Sequence, residues 1–243
     1  LANTASGSTA GIFGRGRVDL RSGILDNSGG FIGATANLAI AASTLLNRDG
    51  AAISTEQSLA VAASVVDNRG GQIQALGDLA IDTGAGRIDN TGSLIRAAGQ
   101  ADLTAGQLVN AATPDGSGLG IEGRSLRIQT TDLDNRHGVL RADENLALLA
   151  SGTADNSGGL MSAGHTLRLA DNSPGAAAGS RTLSILNTGG TLIAGRLLDI
   201  DAARLGGDGS LLSRGDITVR LTGDYNHSGV FRAAGNASLV TPG

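Results

Sequence analysis

Three kinds of residue in this chain carry groups suited to chemistry. Two carboxylate pairs stand two residues apart, Asp132-Leu133-Asp134 and Asp199-Ile200-Asp201. On an extended strand such neighbours share a face, so each pair could hold a cation or flank one glycosidic bond, the arrangement that sugar hydrolysis requires. Three histidines, His137, His165 and His227, have neither an i, i+4 partner nor any cysteine in the chain. A zinc site needs such clustering, so they read as isolated surface residues. Arg214-Gly215-Asp216 sets a cation and a carboxylate on either side of a glycine. That tripeptide reads as an integrin-recognition motif, with the carboxylate offered to a receptor-bound metal ion.

The elements that position these groups come from an internal repeat. A block Asn-x-Gly-Gly-x-(Ile/Leu)-x-Ala, followed by Leu-x-(Ile/Leu), recurs along the chain. Copies start at Asn27-Ser28-Gly29-Gly30, Asn68-Arg69-Gly70-Gly71, Asn156-Ser157-Gly158-Gly159 and Asn187-Thr188-Gly189-Gly190. The repeated asparagine stands at Asn27, Asn47, Asn68, Asn90, Asn110, Asn135, Asn156 and Asn187, then at Gly207 and Asn226. Most intervals are 20 to 22 residues; two are 25 and 31. Within a repeat, Ile73, Ala75, Leu79 and Ile81 alternate with Gln74 and Ala80. That is strand periodicity, not the 3.6 of a helix.

A unit of about 20 residues cannot bury its apolar stripe alone, but stacked copies make the stripe continuous. The pattern therefore predicts an all-β parallel β-helix of roughly eleven rungs, spanning about Gly11 to Leu239. One inward ladder is Ile32, Ile73, Ile95, Leu140, Met161, Leu192 and Leu211. A second is Leu38, Leu59, Leu79, Leu126, Leu146, Leu167 and Leu198. Residues 1–243 form one domain on this reading, an internal fragment of a longer protein. The two long intervals contain Thr113–Gly118 and Asn172–Ser180, rich in Pro, Gly and Ser, which are expected to be exposed loops.

Composition limits the rest. All 18 basic residues are arginine, set against 22 acidic ones, for a net charge of −4. This lacks the cationic excess that nucleic-acid binding requires. No apolar run approaches the length of a membrane-spanning helix. The cysteine count of 0 excludes disulfides and cysteine-based metal sites. No cofactor and no metal are expected.

The repeated blocks resemble those of filamentous haemagglutinin and other two-partner secretion exoproteins, including contact-dependent growth-inhibition proteins. The resemblance covers Ile24 to Leu239. It implies a right-handed β-helix, export through an outer-membrane secretion pore, and a rod displayed at the bacterial cell surface or secreted. On this reading the chain is not an enzyme. It is a structural and adhesive segment that attaches to a host-cell surface receptor. The receptor is either an integrin, bound through Arg214, Gly215 and Asp216, or a sulfated glycan, bound through arginine columns. A stalk of a growth-inhibition effector is the alternative. A carbohydrate-active β-helix enzyme is a third reading.

The repeat register weighs against catalysis. Asp134 precedes its asparagine as Asp26, Asp67, Asp89 and Asp155 precede theirs, so it belongs to a corner. The asparagine column is expected to be structural, each amide bonding the rungs above and below. Ser213-Arg214-Gly215-Asp216-Ile217 falls in the phase of Ala75-Leu76-Gly77-Asp78-Leu79. Gly-Asp is thus a turn the repeat already favours. Ser213 and Ile217 are expected to face inward, with Arg214 and Asp216 projecting outward.

Overall fold

Each repeat closes one turn of a parallel β-solenoid. The computed structural model describes residues 1–5 and 11–242; residues 6–10 and 243 of the expected 1–243 domain lie outside the described residues. Three rows of strands surround one core. The first row is an 11-stranded sheet running from Ile12–Gly14 to Val230–Ala233. The remaining strands form two further rows, which fuse where one long strand turns the corner, as in Val18–Asp26, Leu38–Leu46, Gln100–Val109 and Ser125–Asp134. Every pairing between these strands is parallel and in register, such as Ile53↔Ile73, Ile73↔Ile95 and Ile95↔Ile121.

The register stacks like on like, which makes the core columnar. Ile32, Ile73, Ile95, Leu140, Met161, Leu192 and Leu211 lie in one column and are fully buried. Leu38, Leu59, Leu79, Leu126, Leu146, Leu167 and Leu198 form the next, each no more than 2% exposed. The third row adds Leu25, Leu45, Val66, Ile88, Leu108, Leu133, Ala154, Ile185 and Leu205. Side chains branched at Cβ or Cγ fill most of these positions, Met161 and Ala154 excepted, because their shape suits a pleated surface packed from within. Burying each Leu or Ile stabilises by about 1.5–3 kcal/mol.

The Gly-Gly pair shows how the corner is forced. Gly70 has φ +69, a left-handed conformation that glycine takes without cost. A Cβ on Gly71 would come within 2.0 Å of the Asn47 carbonyl oxygen. The second glycine is therefore required by close backbone approach between rungs. At the matching first-glycine site, His137 adopts φ +51, a conformation uncommon outside glycine.

The two insertions leave the rungs undisturbed. Pro114–Gly118 is exposed, but Thr113 is not. Its hydroxyl donates to the Asn110 carbonyl at 3.2 Å and accepts the Val139 N–H at 3.0 Å, which fastens the loop base into the core. The expectation for that residue is corrected accordingly. In the second insertion, Asn172, Pro174, Ala177, Gly179 and Ser180 are exposed around a 3-10 turn at Ala176–Ala178.

Candidate functional site

The asparagines converge on one corner. Each of Asn27, Asn47, Asn68, Asn90, Asn110, Asn135, Asn156 and Asn187 is fully buried. Each of the first seven donates its side-chain amide to the Oδ1 of the next, from Asn27→Asn47 at 2.7 Å to Asn156→Asn187 at 2.8 Å, and Asn187 donates to the Ser210 carbonyl. The same amide nitrogen also donates to a backbone carbonyl of the next rung, as Asn110 does to Val139 at 2.8 Å. Buried polar atoms are thereby satisfied in an interior that penalises any left unpaired.

Two features of this column escaped the sequence. Asn3 extends it, donating to Asn27 at 2.6 Å; no Gly-Gly follows Asn3 to mark it. At the other end the register pairs Gly206 with Asn226 and Gly207 with His227. The column position is therefore taken by buried His227, while Asn226 is exposed. The expectations of Asn226 in the column and of His227 on the surface are both corrected. A one-residue shift within a strand exchanges inward and outward faces.

The aspartates before the asparagines close the same corner. Asp26, Asp67, Asp89, Asp134 and Asp155 each accept the backbone N–H two residues on. Asp67 and Asp134 also hold the guanidinium two residues on in a two-pronged pair, at 2.9 and 2.7 Å in each case. Burial works to raise the Asp67 carboxyl, but the Arg69 hydrogen bonds and the Arg69 and Arg48 charges outweigh it and hold it below the ordinary value. The side-chain bond from Arg136 does the same for Asp134.

The remaining carboxylates are also engaged. Asp132 accepts the Thr153 N–H at 2.7 Å. Asp199 pairs with Arg220 at 2.6 Å, and Asp201 pairs with Arg181 at 2.7 Å. Each member of the two pairs is thus tied to the scaffold. Among the described residues no group of three acidic, His or Cys side chains is arranged to hold a metal ion. A shallow polar cavity of about 370 Å³ opens where Arg124-Ser125 makes a corner one residue shorter than its neighbours, lined also by Asp78, Gln100, Asp102 and Glu144.

Arg214-Gly215-Asp216 lies on the corner between the first and second rows. Ser213 and Ile217 are buried, Arg214 is exposed, and Gly215 and Asp216 are half-buried. Asp216 Oδ1 accepts the Asn236 N–H of the next rung at 2.7 Å; its other oxygen accepts no hydrogen bond among the described residues. Asn37, Asp78 and Asn145 accept the N–H of Ser58, Gln100 and Thr166 in the same way. This recurring carboxylate-or-amide clip was not read from the sequence, because Asn, Asp and Ser are scattered through all its turns. The arrangement can present a guanidinium and half of a carboxylate from a rigid corner.

Columns of arginine are mostly self-neutralised. Arg48, Arg69, Arg87, Arg96, Arg136, Arg141, Arg168, Arg181, Arg204 and Arg220 all lie within 4.0 Å of a carboxylate.

The haemagglutinin repeat family model matches residues 2–95, 58–129 and 193–241, more than half of the chain. No curated protein and no solved structure matches it.

Proposed function

The chain belongs to the haemagglutinin repeat family, and we propose that it is a stiff segment of a bacterial surface adhesin that attaches to host cells. The family is structural and adhesive, and the solenoid is an adhesin-like rod. The observation that carries the reading is the unbroken parallel register of eleven first-row strands around one core. Such a stack fixes outward side chains on a lattice of about 4.8 Å spacing. A surface fixed before contact loses little conformational freedom on binding.

Within this reading the receptor contact is the corner at Arg214 and Asp216, offered to an integrin-type receptor that holds a metal ion. Export through an outer-membrane pore and display at the cell surface complete the proposal. The test is saturable binding of fluorescently labelled chain to cultured host cells. Binding that saturates and is displaced by unlabelled chain supports attachment. Labelled chain that binds no more than a labelled β-solenoid of unrelated family sinks it.

A further inference from the structure

The asparagine column ends in a pair of residues that cannot continue it. Leu186 pairs with Gly206, which puts Gly207, without a side chain, next to Asn187 in the column, and Gly207 pairs with His227. His227 is 9% exposed. Its Nε2 lies 3.1 Å from the Gly209 carbonyl oxygen. A carbonyl only accepts, so Nε2 carries the proton and the neutral ring leaves Nδ1 bare. Nδ1 is buried and has no hydrogen-bond partner among the described residues.

We infer that His227 makes this corner an acid-sensitive joint, at which the rungs from about Arg204 to Val240 loosen when the imidazole is protonated. Protonation places a second N–H and a full charge at Nδ1, where no acceptor waits. The cost falls on the rung itself, since the ring is buried and its other nitrogen is bonded to the Gly209 carbonyl. From Asn27 to Asn156 the column position carries a neutral amide that donates to the next one, so the column itself has no titratable side chain there.

The titratable and charged groups on the surrounding elements are few. Asp208, on the turn of the preceding rung, favours the charged ring but spends its Oδ1 on the Gly189 N–H. Arg204 and Asp224 pair with each other at 3.5 Å. Tyr225, 6.0 Å from the imidazole between ring centres, is uncharged at neutral pH. Burial outweighs the Gly209 bond and the Asp208 charge and holds His227 below the ordinary histidine value. A histidine depressed in the folded state stabilises above the unfolded value near 6.5, and that contribution is lost as pH falls through the folded one. The lowered aspartates titrate below pH 4, outside this window.

The experiment is hydrogen exchange of the whole chain at pH 7.5 and 5.0, corrected for intrinsic rates, with nuclear magnetic resonance titration of the three histidines. Protection of residues 204–240 is expected to be measurably lower at pH 5.0 than at pH 7.5, because the lowered His227 binds its proton more readily in the loosened state. Protection of residues 58–109 is expected to hold. His227→Asn, which restores the column residue, is expected to abolish the pH effect. Unchanged protection at 204–240 would overturn the inference, as would a full pH effect retained in the variant. Should the variant not fold, the titration decides: a His227 midpoint below about 6.5 supports the joint, and one at or above it refutes it.

Discussion

Asn110 donates its side-chain amide to Asn135 at 2.8 Å, although the insertion between them makes this interval 25 residues against 20 for Asn90 and Asn110, which also stand 2.8 Å apart. The column ignores chain length and obeys rung geometry. Extra residues are pushed out at Pro114–Gly118, and the buried Thr113 hydroxyl seals the gap they leave.

Asn110→Ala is therefore expected to orphan a donor on Asn90 and an acceptor on Asn135. Each orphaned group costs about 1–3 kcal/mol. Urea unfolding of the variant should show a loss of that size. A change under about 0.5 kcal/mol, that of an ordinary surface substitution, would mean the column contributes register and no stability.

Leu146→Asp should be severe. Leu146 is 1% exposed and stacks between Leu126 and Leu167. A lone carboxylate there costs several kcal/mol, or is kept neutral by a raised pKa. Circular dichroism melting should show loss of the cooperative transition. An unshifted melt would place Leu146 on the outside and invert the second row.

Removing Pro174–Gly179 should leave the rod folded. Ser173 Oγ already reaches the Ser180 carbonyl at 3.3 Å, so the shortened chain can close. Asp171 still receives the N–H groups of Ser173, Thr182 and Leu183. The deletion variant is expected to stay soluble and protease-resistant. Rapid cleavage between residues 160 and 200 would show that the loop supports the rungs.

Acid should weaken the whole rod by a second route. The Ser28 hydroxyl holds Asp26 low, and Arg136 holds Asp134 low. Burial opposes the lowering of Asp67 and Asp171 but is outweighed by their hydrogen bonds. These carboxylates bind fewer protons folded than unfolded. Their stabilisation is complete above the unfolded value near 3.9 and is lost as pH falls through the lower folded values. The melting temperature is expected to drop below about pH 4. Asp67→Asn with Asp134→Asn should flatten that drop; an unaltered acid limb would remove the corners as its cause.

The repeat made the inward columns legible, because a residue in register every rung can only face the core or the solvent. Ile73 and Leu79 are placed by period alone. Asn3 and His227 were not, since column membership depends on strand length near each residue. In the Gly-rich stretch 205–209 a one-residue difference has no pattern to fix it. The Arg181–Asp201 pair was hidden for another reason: it joins the residue that follows the second insertion to a strand 20 residues later, and only the fold brings them together.

Asp216→Asn separates scaffold from receptor chemistry. Asn37 and Asn145 clip their corners as amides, so the variant should keep the bond to Asn236 and lose only charge. Its melting temperature is expected to match the unaltered chain, with cell binding reduced about tenfold, as for one desolvated charge contact. Full binding by a folded variant would leave the corner a repeat feature and move the contact elsewhere on the rod.

The most direct test of the adhesive rod is attachment of coated beads to host cells under flow, comparing the folded chain with Leu146→Asp at equal coating density. The account expects beads carrying the folded chain to hold and beads carrying the variant to wash away. Equal retention of both, or retention of the folded chain no better than that of albumin-coated beads, would contradict it.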